Sequence, residues 1–385
     1  MARTRAPRPL RVALIGQRFM GRAHANAWGQ VGRFFDLDRP VEVAAVAARD
    51  ARALETFARR WNIPHATSDW RELADDPSID LVDVLTSNDA HREQAVRMLE
   101  AEKHVACEKP LAGTLEDARA LRDAARRSRR RTFVWFNYRR VPALALAHQF
   151  VREGRLGKVR HVRATYLQSW GGPATPMSWR FSQRTAGSGA HGDLNAHAVD
   201  LARFLLGDEV VEVHGAVART FVNERVEPGT RRKRRVDVDD AVLFLASFRG
   251  GAVASFEATR AATGRHNHLA IELNGERGAL RFELEDLNVL GFLDATEPER
   301  ERGWRRILAT SAAHPYVGNW WPDGHVIGYE HTFTHMAADV VRVLGGKAPL
   351  VPLPDFADAY ETQRVLAAAS HSARERVGVK LAEVR

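Results

Sequence analysis

A lysine, an aspartate and a histidine in this chain have the types and spacing needed to move a proton. Lys109 sits in Cys107-Glu108-Lys109-Pro110-Leu111-Ala112, and Asp193 and His197 sit in Asp193-Leu194-Asn195-Ala196-His197. An imidazole suits general acid–base work because its unperturbed pKa of about 6.5 lies near working pH. An Asp and a His four apart share one face if their segment is helical. The proline after Lys109 disfavours α conformation there and predicts an extended lysine. Taken singly, such a lysine is usually a surface residue and such a histidine a satisfied core residue. Upstream, Val12-Ala13-Leu14-Ile15-Gly16-Gln17-Arg18-Phe19-Met20-Gly21 is an apolar run ending in a spaced glycine pair. That is the strand–turn–helix pattern of a dinucleotide site. Proton-transfer groups beside a nicotinamide site point to reversible oxidation of an alcohol.

The dinucleotide turn departs from the full G-x-G-x-x-G pattern. Gly16 and Gly21 keep the outer glycines, but Arg18 holds the middle position. A strand before and a helix after would still aim backbone N–H groups at a phosphate. Arg18 either lies beside the phosphates or points to solvent. At the end of the second strand the chain reads Ala47-Ala48-Arg49-Asp50. Asp50 would favour the ribose hydroxyls of NAD, and Arg49 the 2′-phosphate of NADP. Asp50 has a second reading as the N-cap of the next helix. NAD is the expected cofactor and NADP the alternative.

Positioning these residues requires two different textures. The first 140 residues alternate short apolar runs (11–16, 41–47, 80–85, 104–107, 132–136) with amphipathic stretches (about 20–34, 51–60, 89–102, 114–129). This is the pattern of an α/β doubly wound parallel sheet. Residues 141–385 read as a second α/β domain with a large, open, mostly antiparallel sheet. It begins with a helix near 141–153 and a strand over 159–168. A helix near 189–206 and β-rich runs over 210–293 follow, and helices near 329–344 and 356–374 close the chain. Between them, His314-Pro315-Tyr316, Asn319-Trp320-Trp321-Pro322 and Gly324-His325 form an aromatic stretch with turn residues. It is expected as a loop over the cleft or at a subunit contact. His331 and His335 have a zinc-like spacing beside Glu330, but no further ligand is evident and helix packing is favoured.

Composition narrows the classes. The 57 basic and 48 acidic residues leave a net charge of +9, yet the cations are scattered, and the single dense run, Arg231-Arg232-Lys233-Arg234-Arg235, reads as a solvated loop. Nucleic acid is therefore not an expected partner. Cys107 is the only cysteine, so no intrachain disulfide forms, and it reads as a small buried apolar residue. Apolar runs are far shorter than the ~20 residues of a membrane span, and the basic start lacks a signal-peptide core. A cytoplasmic protein with no membrane partner and no bound metal is expected.

The ordered set of motifs resembles the Gfo/Idh/MocA oxidoreductase family. It rests on the Gly16–Gly21 turn, Thr86-Ser87-Asn88-Asp89-Ala90-His91, Glu108-Lys109-Pro110 and Asp193-x-x-x-His197, and it spans nearly the whole chain. Phe136-Asn137-Tyr138-Arg139-Arg140, Tyr166-Leu167-Gln168-Ser169-Trp170, Ser178-Trp179-Arg180-Phe181 and Ala186-Gly187-Ser188-Gly189-Ala190 look closer still to the family's sugar 3-dehydrogenases. Two departures stand out: Arg18 for the middle glycine, and Ser87 where many members carry proline. The resemblance implies a Rossmann domain followed by a substrate domain. It also implies NAD(P)-dependent oxidation of a secondary ring hydroxyl, C3 favoured, of a sugar, anhydrosugar, glycoside or cyclitol. By the same resemblance His197 is the general base, Lys109 polarises the hydroxyl and shares the proton, and Asp193 orients the site or hydrogen-bonds the sugar. Gly16, Arg18, Phe19, Met20, Arg49, Asp50, Thr86, Asn88, His91 and Glu108 would hold the cofactor. Asn137, Tyr138, Gln168, Trp170, Trp179 and Arg180 would line the sugar cleft. A homodimer or homotetramer joined through the large sheet is implied. The alternatives are an NAD-dependent glycoside hydrolase acting through transient oxidation, and a non-catalytic nucleotide-binding regulator.

Overall fold

The computed structural model describes residues 8–384. Six short strands form one parallel sheet: β1 (Leu10–Ile15), β2 (Val41–Ala47), β3 (His65–Thr67), β4 (Leu81–Val84), β5 (His104–Cys107) and β6 (Thr132–Val134). Their order is β3-β2-β1-β4-β5-β6, with α1 (Phe19–Phe34), α2 (Ala51–Trp61), α3 (Glu72–Asp75), α4 (His91–Glu100) and α5 (Leu115–Arg127) in the connections. β4 is buried at all four positions, as a strand covered on both faces must be. The strand order reverses between β1 and β4, and ligands of such sheets bind outside the carboxyl ends at that point. β3 has no counterpart among the expected strands: it is an edge strand with two of its three residues exposed, so it carries no apolar run. The helix expected from 89 starts as a 3-10 turn over Asn88–Ala90 before α4.

After α6 (Pro142–Arg152) a second sheet forms. Its strands are β7 (Val159–Leu167), β8 (Val210–Arg219), β11 (Ala241–Phe248), β12 (Val253–Thr259), β13 (His268–Gly275), β14 (Gly278–Glu283), β15 (Val289–Asp294), β16 (Arg305–Leu308) and β17 (Val379–Lys380). They run in the order β16-β15-β14-β13-β7-β12-β11-β8-β17, antiparallel except for the parallel β7–β12 pair. Between β7 and β8 come α7 (Gln183–Ala186) and α8 (Ala196–Leu206). The basic run belongs to an exposed hairpin of β9 (Glu224–Val226) and β10 (Lys233–Arg235), not to a loop. Arg225 in β9 explains this: it is buried and donates to the carbonyls of Gly171, Gly172 and Thr175, which holds the hairpin down.

The last helices, α9 (Tyr329–Leu344) and α10 (Phe356–Glu375), return to the first domain. α9 lies on α1, and α10 packs between α5 and β8. Ahead of α10, the Pro354 carbonyl accepts from Val134 N at 2.8 Å, giving β6 a partner at the sheet edge. The aromatic stretch at 314–325 does not cover the cleft. Trp320 packs on Phe34 (4.3 Å between ring centroids), and its Nε1 donates to His335 Nε2 at 2.7 Å. Tyr316 stacks on His335 and donates to Asp339 at 2.7 Å. Burying these rings against α1 and α9 removes apolar surface from water, which decides their placement. His335 donates from Nδ1 to Arg140 O, so both nitrogens are engaged, and burial pushes its pKa down to about 3. No described helix is long and apolar enough to cross a membrane.

Candidate active site

The carboxyl ends of β1, β4 and β5 face the second domain across a cavity of about 560 Å³. Phe19, Met20, Thr86, Asn88, Glu108 and Lys109 line it from the first domain; Asn137 and Tyr138 lie at the junction; Gln168, Trp170, Trp179, Arg180, Asp193 and His197 come from the second. Glycine is required where the two domains touch. A Cβ on Gly187 (φ +79°) would overlap the Gly113 carbonyl, and Asn88 Nδ2 donates to Ala186 O at 2.8 Å beside it.

Lys109 reaches across the cavity. Its Nζ donates to Asp193 Oδ1 and to the Asp193 carbonyl, both at 2.8 Å. Asp193 Oδ2 accepts from Arg260 at 2.9 Å, and Arg260 is 1% exposed. Burial alone would raise the Asp193 carboxyl, but Lys109 and Arg260 outweigh it and hold the group far below the usual carboxylate range. Asp193 does not lie on a regular α-helix: His191–Asn195 make a π-helical turn before α8. Such turns inside helices are frequent at functional sites. His197 is 4% exposed, walled by Phe136, Tyr138 and Tyr166, and lines the cavity. Burial and then the Lys109 charge push its pKa well below the ordinary value, with only Asp193 opposing. The imidazole is therefore neutral near pH 7 and able to accept a proton. The Lys109–Pro110 peptide is cis.

At the dinucleotide turn Gly16 has φ +130°, and a Cβ there would lie 2.8 Å from Leu85 O. Arg18 has a negative φ of −83°, so this position does not require a glycine's left-handed backbone. Arg18 has no side-chain cap bond and the first turn of α1 has no acidic residue. The orphan N–H groups of that turn are left for an anion, which fits a dinucleotide phosphate. Asp50 caps α2, accepting from Ala53 N at 3.1 Å, while Arg49 is exposed; neither lines the cavity. His91 does not reach the cavity either. It is fully buried between the carbonyls of Leu111 (3.2 Å) and Thr86 (3.3 Å), where it fixes the loop rather than a ligand.

Residues 10–136 match a family model described as an oxidoreductase family with an NAD-binding Rossmann fold, and residues 144–281 match the GFO/IDH/MocA C-terminal domain. The chain belongs to the Gfo/Idh/MocA oxidoreductase family. Within it, the chain is 39% identical to levoglucosan dehydrogenase of Pseudarthrobacter phenanthrenivorans, over 97% of this chain and 99% of that protein. Levoglucosan dehydrogenase in complex with NADH and levoglucosan superposes with a TM-score of 0.92 at 39% identity, covering 97% of this chain and 100% of the other. An oxidoreductase domain protein from Kribbella flavida gives 0.93 at 48% identity, covering 97% and 100%. The first domain is thus the NAD-binding Rossmann domain of a Gfo/Idh/MocA oxidoreductase.

Several cavity residues of this family member escape a reading of the sequence. Tyr138 and Tyr166 share a hydroxyl contact of 2.8 Å; Tyr166 and Gln168 both donate to Asn267 Oδ1, at 2.8 and 2.7 Å. Tyr166 on β7 lies two residues before Gln168, which follows the strand's last residue, so continued alternation would have paired them. Arg260 and Asn267 carry no local motif. Asn137 spends its amide on Thr332 at 2.8 Å. Arg180 lies over the Trp179 ring at 4.5 Å. Tyr329 and Phe19, parallel at 6.5 Å, flank the cavity from α9 and α1.

Proposed function

We propose that this protein is an NAD-dependent dehydrogenase that oxidises a secondary ring hydroxyl, at C3, of a sugar, anhydrosugar or glycoside. The observation that carries the reading is a charge-neutralised Lys109 beside a neutral His197, both on the cavity between the nucleotide domain and the second sheet. Similarity to levoglucosan dehydrogenase supports the substrate class and, with it, the choice of carbon. NAD, when bound in the crevice, supplies the hydride acceptor. The Lys109 ammonium, held by Asp193, donates to the reacting oxygen and stabilises negative charge as it develops. His197 takes the hydroxyl proton at a ring nitrogen; it is kept neutral beforehand by burial and Lys109. Asp193 stays ionised throughout and lowers the cost of a second cation beside Lys109. Tyr166, Gln168, Asn267 and Trp170 form a hydrogen-bonded wall that presents polar and aromatic surface to a sugar ring.

The test is NADH formation from NAD with levoglucosan, glucose, myo-inositol and aryl glucosides, with the oxidised carbon located by NMR of the product. Turnover with a ketone at C3 supports the reading. Glycoside cleavage without net NADH would favour transient oxidation, and absence of NAD binding by calorimetry would favour a non-catalytic protein. We also propose a homodimer or homotetramer, joined through the open face of the second sheet. Val217, Leu243, Leu245 and Val253 are 44–57% exposed there, a contiguous apolar patch on β8, β11 and β12. Sedimentation of a monomer at micromolar concentration would reject this.

A further inference from the structure

Behind the cavity, α1, β4 and β5 bury a chain of charges that the proton-transfer step does not use. His24 is fully buried, with Nδ1 at 2.8 Å from Asp83 Oδ2 and Nε2 at 2.9 Å from Glu108 Oε1. A neutral imidazole has one N–H, so one of these contacts would set a lone pair against a carboxylate oxygen. The proton that resolves this is disfavoured on Asp83, because two indole N–H groups favour its carboxylate form. Asp83 Oδ1 accepts from Trp135 Nε1 at 2.7 Å, and Oδ2 accepts from Trp28 Nε1 at 2.8 Å. Nor does it sit on Glu108 Oε2, which accepts from Lys109 N at 3.1 Å. It therefore lies on the His24–Glu108 axis. Burial alone would strip the imidazole of its proton, but Asp83 and Glu108 outweigh it and lift the pKa to about 9. The other groups packed on the ring are aromatic: Trp135 at 4.2 Å and Phe333 at 5.2 Å.

We propose that His24 is a positioning residue. As a buried imidazolium it pins the Glu108 carboxylate against the Lys109 amide and completes an alternating series Asp83, His24, Glu108, Lys109, Asp193, Arg260. The six formal charges sum to zero, and Glu108 faces the cavity on the nucleotide-domain side. Removing the His24 charge leaves the series at −1 next to where the nicotinamide end of NAD must lie if the proposed function holds. The oxidised ring carries a positive charge and the reduced ring does not. His24 thereby sets the balance between NAD and NADH affinity, which makes it more than a structural residue.

Three measurements test this, and the first is independent of the enzyme's function. Nitrogen-15 shifts of His24 should report an imidazolium, with both nitrogens protonated, at pH 7.5; a neutral tautomer overturns the proposal. Next, calorimetric Kd values for NAD and NADH are compared between the parent and His24→Gln. The variant should shift the NAD/NADH affinity ratio about tenfold toward NAD, the order expected of one uncompensated charge in a partly buried site. Equal weakening of both nucleotides overturns the charge role and leaves a packing role. If His24→Gln does not fold, Glu108→Gln serves instead, and its ratio should move toward NADH. The double variant His24→Gln/Glu108→Gln should return the ratio to within about threefold of the parent, as a coupled pair requires; a further shift toward NAD refutes it. Failure of the parent to bind either nucleotide would reject the proposed function while leaving the imidazolium result standing.

Discussion

Lys109, Asp193 and Arg260 at the inner end of the cavity are tied by contacts of 2.8–2.9 Å, whereas Arg18 and Arg49 at the nucleotide end are exposed and form no ion pair among the described residues. At the inner end Arg260 is buried, while Lys109 and Asp193 are half-buried and held by their ion pairs. The outer end offers backbone N–H groups and loose cations. Under the proposed function, the difference follows from what each end would do. Proton transfer requires reacting groups held within a few tenths of an ångström, and prearranged charges act without reorganising during the reaction. Holding a phosphate requires charge and N–H groups, and long cations that lose rotamer freedom on binding contribute little each.

The sharpest way to break this comparison is at the inner end. Lys109→Ala and His197→Ala should each lower kcat by ~10²-fold or more, and His197→Ala should leave NAD affinity within a few-fold of the parent. Steady-state kinetics with a calorimetric Kd checks both halves, and near-parental turnover in both variants would reject the assignment. Arg260→Met should come next. It removes one of the two cations on Asp193, and breaking such a buried pair costs about 3 kcal/mol of stability. A lower Tm and a kcat/KM reduced by ~10-fold are expected; an unchanged Tm would mean Asp193 needs only Lys109.

Acid titration probes the inner end against the rest of the core. His197 and His335 have pKa values pushed down, the latter to about 3, as do His104 and His148, both to about 4. In the unfolded chain these groups take a proton near pH 6.5, so their contribution is intact above that value and is lost as pH falls below it toward the folded values. The buried His197 and His335 each cost up to about 1.4 kcal/mol per pH unit across that window, and solvent screening makes the half-buried His104 and His148 cost less. His24 has the opposite sign: its contribution is present below pH 6.5 and is lost as pH rises through about 9. Stability from denaturant titration should therefore fall below pH 6.5, and fall again toward pH 9 only while His24 is present. His24→Gln should remove the alkaline decline and leave the acid one.

Lys109, Asp193 and His197, which meet at one cavity, could be singled out in the sequence because they sit in motifs: a lysine before proline, and an Asp and a His four apart. Arg260 could not, because a single arginine after the strand Val253–Thr259 looks like any strand terminus until β12 brings it under Asp193. Asp83 did carry a signal. It interrupts the apolar run Leu81-Val82-Asp83-Val84, and a carboxylate buried in a parallel strand needs partners. The strand pattern names none of them; they come from α1 and from Trp135 just past β6, 59 and 52 positions away in sequence. The fold was easier, since periodicity reports burial. It failed at β3, where an edge strand buries little, and at residues 314–325, whose aromatic residues gave no hint of which surface they would cover. His91 misled for a related reason: a histidine in a motif can serve the loop that carries the motif.

The smallest expected effect lies at the nucleotide end and decides how loosely that end is built. Asp50 uses one carboxylate oxygen to cap α2, and Arg49 extends into solvent beside it. If Arg49 reads a 2′-phosphate, Arg49→Ala should weaken NADP by several-fold and leave NAD nearly unchanged, since one exposed charge contact is worth less than about 1 kcal/mol. Asp50→Asn should keep the cap, because Asn serves there as well as Asp, and should narrow the preference for NAD by removing repulsion of the extra phosphate. Kd ratios for the two nucleotides, measured at low and high salt, separate these effects. A salt-independent loss of NAD binding in Arg49→Ala would show that this arginine is fixed on the cofactor, and the two ends of the cavity would then be built alike.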